Sequence, residues 1–332
     1  MIRFALFGAG RIGIMHAANI ARHPRATLAT VYDVHRLSAQ KTAAEHGGVV
    51  ADSVEAALAG VDAVLIASST PTHVDLIIAA AKAGKPILCE KPIDLDIRRV
   101  EECRKVVAAE SVPIQIAFNR RYDPPHRALR DALRDGKIGQ LELLMITSRD
   151  TGLAPIAYIK QSGGIFRDMM IHDFDLTRFL LDGDEIEEVY STGSIRVEPA
   201  LKELGDIDTA MVVMKSANGT LAHINNSRRS VYGQDQRVEA FGARGMLQAD
   251  HPQSNATISY SSSATAARPV LSFSFIERFA QAYLDELDEF IDVAAGKRSP
   301  SVGFEDGRRA LLLADAAHES LKTRQVVNVR YD

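Results

Sequence analysis

A glycine-rich pattern lies near the start of the chain, where residues 2–13 read IRFALFGAGRIG. Its first six residues predict a strand, and the periodicity from Ile12 to Arg22 predicts a helix. A strand that ends in G-x-G-x-x-G and leads into a helix is typical of dinucleotide-binding folds. Gly8 would allow the tight turn, Gly10 the approach of a diphosphate, and Gly13 close packing of helix and strand. The diphosphate would lie at the helix N-terminus, where the helix dipole favours negative charge.

An acidic residue extends this pattern. Asp33 follows the next predicted strand, 20 residues after Gly13, where a carboxylate binds the adenosine ribose hydroxyls in dinucleotide sites. The carboxylate would repel the additional phosphate of NADP, so NAD is the favoured cofactor. Arg36 lies nearby and leaves some use of NADP open. The alternative interpretation is that the glycines form an ordinary turn and Asp33 only caps a helix.

The chain up to Asn119 alternates short strands with helices, which is typical of a doubly wound parallel sheet. The predicted strands are Ile2–Phe7, Thr27–Tyr32, Ala63–Ala67, Ile87–Cys89 and Pro113–Ala117. The predicted helices are Ile12–Arg22, Leu37–His46, His73–Ala83 and Ile97–Glu110. We therefore expect an NAD-binding Rossmann domain at residues 1–119.

The remainder of the chain has a different texture. Helical periodicity is found at Pro124–Arg134, Ile165–Leu181, Ile276–Ala295 and about Glu305–Lys322, the last without an assigned domain. Alternating strands are predicted at Leu141–Ser148, Val189–Ile195, Thr209–Met214, Thr220–Asn226, Arg237–Phe241 and Thr257–Tyr260. The overall prediction is an α/β protein whose residues 120–332 form an α+β domain for substrate binding and oligomerisation, with a large, mostly antiparallel open sheet.

Composition excludes several classes of protein. The 332 residues carry a formal net charge of -4 with dispersed Lys and Arg, so a nucleic-acid partner is not expected. The apolar runs are far shorter than the roughly 18 residues of a membrane span, so no membrane association is expected. The two cysteines, Cys89 and Cys103, are too few for a disulfide framework and match no zinc pattern. A reducing cytoplasm fits best.

Two short segments carry candidate catalytic groups. Lys91, in Glu90-Lys91-Pro92, follows a predicted strand and should lie at the carboxyl end of the sheet, where open α/β sheets bind ligands. It would donate a hydrogen bond to a substrate oxygen and stabilise developing negative charge. Taken alone, this motif is also compatible with an ordinary surface lysine.

The second segment is the predicted helix 165–181, which would place Asp168, His172 and Asp175 on one face. Oxidation of an alcohol needs a base for the hydroxyl proton, and histidine titrates near working pH. His172 is therefore the predicted general base, and Asp168 would orient its ring. A metal-dependent dehydrogenase is the competing chemistry, but no third ligand stands out, so no metal is expected.

These motifs together resemble the glucose-fructose oxidoreductase and inositol dehydrogenase (Gfo/Idh/MocA) family over nearly the whole chain. The motifs are GAGRIG at 8–13, TPTH at 70–73, EKP at 90–92 and the Asp168/His172 helix. Segments 118–123, 158–164 and 226–233 are similar to the myo-inositol 2-dehydrogenases of that family. The resemblance implies Lys91, Asp168 and His172 as catalytic residues. The expected cofactor-binding set is Gly8, Gly10, Arg11, Ile12, Gly13, Asp33, Ser68, Thr70, His73, Glu90 and Lys91.

The resemblance also implies a polyol substrate and a homotetramer built by the C-terminal sheet. Arg121 and Tyr232 would help Lys91, Asp168 and His172 to bind the polyol. Without the resemblance, it would be equally reasonable to interpret Arg121 as a solvated charge and Tyr232 as an aromatic residue of a strand or loop. The implied reaction is NAD-dependent oxidation of myo-inositol to 2-keto-myo-inositol (scyllo-inosose). Scyllo-inositol, D-chiro-inositol or an aldose such as glucose are alternatives, because residues 150–155 lack the proline-rich run of many inositol enzymes. A catalytically silent NAD sensor is the alternative from another class.

Overall fold

The computed structural model describes residues 1–252, 255 and 257–331, which divide into two compact units. The first unit comprises Met1–Tyr122 and Gln281–Leu311. The second comprises Asp123–Ala280 and the chain from Leu312 onward. The predicted domains and the observed units therefore divide residues 281–311 differently. Within the described part of the chain, none of the helices has the length and apolar character needed to cross a membrane.

The first unit is built around a parallel sheet. Its strands are β1 (Ile2–Phe7), β2 (Ala26–Tyr32), β3 (Val49–Val50), β4 (Ala63–Ile66), β5 (Ile87–Cys89) and β6 (Ile114–Ile116). The spatial order β3-β2-β1-β4-β5-β6, with parallel pairing throughout, is the order of the dinucleotide-binding Rossmann fold. The predicted N-terminal Rossmann sheet is confirmed. The two-residue strand β3 was missed because two residues are too short to show a period.

Helices connect these strands. They are α1 (Arg11–Arg22), α2 (Arg36–His46), α3 (Val54–Leu58), α4 (His73–Lys82) and α5 (Ile97–Glu110). All but α3 agree with the predicted helices to within one residue at each end. The short α3 has Ser53 as its N-cap, whose hydroxyl oxygen accepts a hydrogen bond from the backbone N–H of Ala56. Its five residues provide too little periodicity for a prediction.

The second unit combines a mixed sheet with helices, whereas residues 281–311, which hold most of the eleventh helix and the start of the twelfth, belong to the first unit. The helices are α6 (Pro124–Arg134), α7 (Ile156–Ser162), α8 (Gly164–Asp168), α9 (Ile171–Leu181), α10 (Phe275–Arg278), α11 (Ala280–Ala294) and α12 (Phe304–Thr323). The predictions of single helices over 165–181 and 276–295 were wrong. Phe279 separates α10 from α11 because its backbone angles, φ −108° and ψ 18°, are not helical.

The sheet of the second unit has the order β12-β11-β7-β10-β9-β8-β13. These strands are β7 (Leu141–Arg149), β8 (Ile186–Ser194), β9 (Thr209–Ser216), β10 (Leu221–Ser227), β11 (Asp235–Gly242), β12 (Gly245–Ala249) and β13 (Val327–Asn328). β7 and β10 are parallel, and the other neighbours are antiparallel. The predicted strand Thr257–Tyr260 was wrong: only Ser259 forms an isolated bridge, with Ala267. All four residues are exposed, so their alternating apolar side chains, Ile258 and Tyr260, are not covered by a sheet or a core.

The two faces of this sheet differ in burial. Side chains such as Ile146, Val212 and Ile224 are buried against α9 and α12 residues in one apolar core. The opposite side, here called the outer face, carries large apolar side chains that are 38% to 49% exposed. They are Leu143, Met145, Tyr190, Met211, Val213, Leu221, Phe241 and Met246. The strand registers pair Met246 with Phe241, Phe241 with Leu143, Leu143 with Leu221, and Tyr190 with Val213. The polar residues His223 and Asn225 of β10 lie opposite Val213 and Met211, so the outer face is an apolar patch with polar positions within it.

A separate core holds the first unit together. Apolar residues of β1, β2 and β4 pack with Leu287, Phe290 and Ile291 of α11. The rings of Phe4 and Phe290 lie 5.9 Å apart in a tilted arrangement. This packing places α11 beside the sheet that carries the glycine pattern.

Candidate active site

The glycine pattern forms the turn between β1 and α1. Gly8 has a φ of +97°, and a Cβ there would lie 2.5 Å from the backbone nitrogen of Ser68. A Cβ on Gly13 would run into the carbonyl oxygen of Gly8, so helix and strand pack without room for a side chain. Gly10 differs, because, its neighbours in the chain aside, no atom of the described residues lies within 4 Å of the position of a Cβ. This space, at the N-terminus of α1, fits the diphosphate of a dinucleotide.

Asp33 lies beside this turn. Its Oδ2 accepts a hydrogen bond from the backbone N–H of Ala9 at 2.6 Å, and its Oδ1 accepts one from His35 N–H at 2.7 Å. The structure therefore brings Asp33 and the glycine turn together, as a ribose-binding carboxylate requires. Arg36, whose positive charge near Asp33 left some use of NADP open, forms an ion pair with Asp52. Both side chains of this pair are exposed.

Ser68, Thr70 and His73 follow β4. The residues Thr70–Thr72 form a short 3₁₀ turn. The hydroxyl oxygens of Ser68, which precedes this turn, and Thr72, which ends it, are hydrogen-bonded at 2.7 Å. The His73 ring is buried, with Nδ1 2.8 Å from the carbonyl oxygen of Pro92 and Nε2 3.0 Å from that of Ser68. Burial lowers the pKa of His73, despite both carbonyl contacts. His73 therefore holds the loops after β4 and β5 together.

Glu90 and Lys91 follow β5, as predicted. Glu90 Oε1 lies 3.0 Å from Nε2 of the buried His16, a residue of α1, so this contact joins the helix of the glycine turn to the loop of Lys91. Lys91 is partly buried, and its peptide bond with Pro92 is cis. Burial, together with the nearby carboxylates of Glu90 and Glu289, raises the pKa of Glu286 well above its ordinary value. Sequence reasoning missed His16 and Glu286, because single polar residues in helices carry no signal of burial.

Arg121 lies in a 3₁₀ turn after β6, over Asn119–Tyr122. Its guanidinium is buried and its Nη2 donates to Oδ1 of Asp306 at 2.9 Å. The other oxygen of Asp306 accepts the backbone N–H of Gly303 at 2.9 Å. Arg121 is therefore not the solvated charge that the residues alone allowed.

The predicted catalytic helix is interrupted between Asp168 and His172. The backbone N–H groups of Met169 and Met170 both donate to the carbonyl oxygen of Ile165, at 3.1 and 2.9 Å. The second of these bonds spans five residues instead of four, as in a π-turn, so the helical register shifts here. Asp168 consequently ends α8, whereas His172 lies in the first turn of α9. The prediction of a common face for Asp168, His172 and Asp175 assumed an uninterrupted helix, which the structure does not contain. Asp175 is also buried, whereas His172 is partly exposed.

The Asp168 carboxylate has two identified donors. Its Oδ1 accepts the hydroxyl hydrogen of Tyr158 at 2.8 Å, and its Oδ2 accepts from Nη1 of Arg228 at 3.2 Å. Arg228 is buried directly after β10. Its Nη2 lies 3.8 Å from Asp206 Oδ2. Tyr158, Asp206 and Arg228 were not predicted as site residues.

His172 is partly exposed, in contrast to the residues that follow it. Asp173 is buried, and its Oδ2 accepts a hydrogen bond from Nδ2 of Asn226 at 2.9 Å. Thr177 donates its hydroxyl hydrogen to the carbonyl oxygen of Asp173 at 2.8 Å. These contacts fix the first turns of α9, and thereby the backbone that carries His172.

Tyr232 is about half exposed, at 46%. Its hydroxyl donates to Asp235 Oδ2 at 2.6 Å and accepts from Nη1 of Arg149 at 3.0 Å. Burial alone would raise the pKa of Asp235, but hydrogen bonds from His251, Arg237 and Tyr232 lower it well below its usual range. The Tyr232 side chain is thus held by an ionised carboxylate near the end of the sheet.

No group of three or more His, Cys, Asp or Glu side chains that could hold a metal ion occurs within residues 1–252, 255 and 257–331.

Comparison with protein families gives two matches. A model described as "Oxidoreductase family, NAD-binding Rossmann fold" matches residues 2–118, and one described as "GFO/IDH/MocA C-terminal domain" matches residues 126–248. The two matches together cover most of the chain. The first unit accordingly provides the binding site for an NAD cofactor, as the glycine turn and Asp33 predicted.

Individual relatives cover the full length of the chain. The inositol 2-dehydrogenase of Rhizobium meliloti (strain 1021) is 43% identical over 330 residues, which is 99% of both chains. The crystal structure of a myo-inositol dehydrogenase from Corynebacterium glutamicum superimposes with a TM-score of 0.94 at 41% identity, covering 99% of each chain. A scyllo-inositol dehydrogenase from Lactobacillus casei, crystallised with NAD(H) and scyllo-inositol, gives a TM-score of 0.92 at 31% identity and the same coverage.

Proposed function

The chain belongs to the Gfo/Idh/MocA oxidoreductase family, and from this membership we propose that it oxidises myo-inositol to 2-keto-myo-inositol with NAD. The observation that carries the proposal is the full-length similarity to the inositol 2-dehydrogenase of Rhizobium meliloti. Substrate-binding regions usually diverge together with specificity, so a match that extends over both units supports a shared substrate class.

The proposed chemistry divides between the cofactor and the chain. When bound, NAD would supply the acceptor for the hydride of the carbinol carbon. His172 accepts the proton of the hydroxyl group, so that alcohol and NAD give ketone, NADH and one proton on the imidazole. Asp168 orients the ring and stabilises its protonated form. Lys91 donates a hydrogen bond to the substrate oxygen and stabilises the negative charge that develops on it.

Binding of the two small molecules is assigned to separate sets of residues. The proposed cofactor set is Gly8, Gly10, Arg11, Ile12, Gly13, Asp33, Ser68, Thr70, His73, Glu90 and Lys91. Arg121 and Tyr232 are proposed to join Lys91, Asp168 and His172 in binding polyol hydroxyl groups. The ion pair of Arg121 and the hydrogen bonds of Tyr232 support this role, because a fixed donor discriminates better between hydroxyl positions than a mobile one.

Scyllo-inositol is the second candidate, favoured by the Lactobacillus casei structure that contains it. The decisive experiment measures initial rates of NADH formation with myo-inositol, scyllo-inositol, D-chiro-inositol and D-glucose, each at saturating NAD. We expect the largest kcat/KM with myo-inositol. A larger value with another polyol would keep the reaction and change the substrate. A protein that binds NADH but turns over none of the four would contradict the proposal and favour an NAD sensor.

The outer face supports a further proposal, that the chain forms a homotetramer through its second sheet. A monomer rarely exposes a contiguous patch of large apolar side chains, whereas a subunit interface buries one. The free, buried thiols of Cys89 and Cys103 suit a reducing compartment, so we propose that the protein works in the cytoplasm.

A further inference from the structure

We propose that Arg228 is a positioning residue for the oxidation, because it fixes the Asp168 carboxylate that orients His172. This inference rests on the proposed function. It adds a residue from a different part of the chain, 60 positions beyond Asp168. Arg228 acts through Asp168 and is not itself assigned a contact with substrate or cofactor.

Burial makes this contact difficult to replace. The Arg228 side chain is 3% exposed, and that of Asp168 is 13% exposed. A guanidinium stays charged at any accessible pH, and a buried charge requires a partner of opposite sign. Water has little access to Arg228, so the carboxylate oxygen at 3.2 Å is its principal source of compensation. The same interaction holds Asp168 in one orientation.

A second carboxylate connects Arg228 to the other end of α8. Asp206 Oδ1 accepts the backbone N–H of Ile165 at 3.0 Å, and its Oδ2 lies 3.8 Å from Nη2 of Arg228. A Cβ on Gly164 would lie 2.9 Å from Asp206 Oδ1, so the approach is close. The Arg228 guanidinium therefore lies between two carboxylates. That of Asp206 binds the backbone near the start of the five-residue helix α8, and that of Asp168 belongs to its last residue. The planar guanidinium can address two carboxylates at once, whereas an ammonium acts as a point charge.

Tyr158 also binds Asp168, but under different conditions. Its side chain is 52% exposed, so water can replace the hydroxyl group when it is removed. Arg228 has no such substitute because it is buried. We therefore expect Arg228 to contribute more to the position of Asp168 than Tyr158 does, and Y158F to be milder than R228M.

The test compares R228M, R228K and the control R229M by kcat, KM and NADH affinity. Arg229 is the next residue, but it is exposed and its Nη2 donates only to the carbonyl oxygen of Arg196, at 3.4 Å. We expect R228M to lower kcat by about 10- to 100-fold, since small misplacements of catalytic groups have effects of that size. NADH affinity should stay within about twofold, R228K should be intermediate and R229M unchanged. Wild-type kcat in R228M would overturn the inference.

A double-mutant cycle with D168N separates this inference from the proposed function. If Arg228 acts through Asp168, R228M should slow D168N by less than about twofold, because effects along one chain of contacts are not additive. Full additivity would overturn the positioning role. Wild-type turnover in D168N itself would instead contradict the proposed function. Should R228M not fold, R228K decides alone, and an unchanged kcat in R228K would refute the inference.

Discussion

At the scale of single residues, His172 is the proposed proton acceptor. We expect H172A to lower kcat by about 10² to 10⁴, the usual contribution of a positioned acid–base group. NADH binding, measured by fluorescence titration, should be unchanged, since the glycine turn belongs to the first unit. The exposed His35 gives the control variant H35A, which should keep wild-type turnover. A fast H172A enzyme would mean that another group takes the proton.

Asp33 is proposed to set the preference between the two nicotinamide cofactors. D33N keeps an oxygen that can accept the Ala9 N–H, but it removes the negative charge beside the turn. The ratio of kcat/KM for NADP to that for NAD should rise by about 10-fold or more, because a like-charge repulsion has been removed. The measurement uses both cofactors at a fixed polyol concentration. A wild-type enzyme that already prefers NADP would contradict this role.

Buried ionic contacts mark the limit of residue-by-residue prediction. Asp33 was identifiable because its distance from the glycines follows a fixed pattern. Arg228 had no such pattern, because its partners Asp168 and Asp206 lie 60 and 22 positions before it, respectively. A general signal did exist: a charged residue directly after a strand is a candidate for a buried pair.

At the scale of elements, α8 and α9 illustrate how a helix can be predicted in type but not in continuity. The periodicity of residues 165–181 is helical, and most of these residues are indeed helical. The π-turn at Met169 and Met170 inserts one residue into the register, which no apolar period reveals. As a result, Asp168 and His172 lie in two different helices, α8 and α9.

Helix α11 carries a carboxyl group that should make stability depend on pH. Burial raises the pKa of Glu286 well above its ordinary value, so the folded chain keeps a proton that the unfolded chain releases. Stability contributed by this proton is complete below the unfolded pKa and is lost as pH rises towards the folded one. E286Q removes this dependence. Its Tm relative to wild type should therefore be higher at about pH 9 than at about pH 5.

The matched control is E110Q, at an exposed glutamate near the end of α5. Its Tm should follow that of wild type at every pH. Parallel curves for E286Q and wild type would mean that Glu286 is ionised in the folded chain, against the direction that burial dictates.

At the scale of the whole molecule, the outer face predicts self-association. Replacing Met211 and Val213 with aspartate places charges in the middle of the apolar patch, which should weaken a subunit interface strongly. Light scattering after gel filtration should show a tetramer for wild type and smaller species for the double variant. V270D, at an exposed valine outside the sheet, is the control and should stay tetrameric. A wild-type monomer would refute the proposal.

Local patterns in the sequence were enough to predict the Rossmann sheet, its glycine turn and the mostly antiparallel second sheet, because these features follow from the periodicity of apolar residues and from glycines that have a steric reason. It also placed Lys91 and Asp33 at strand ends, where the parallel topology brings loops together. Tertiary structure decided the partners of the charged groups: Asp168 with Arg228, Glu90 with His16, and Arg121 with Asp306. The cause is physical. Burial is a property of packing between distant segments, and only packing selects which opposite charge compensates each buried one.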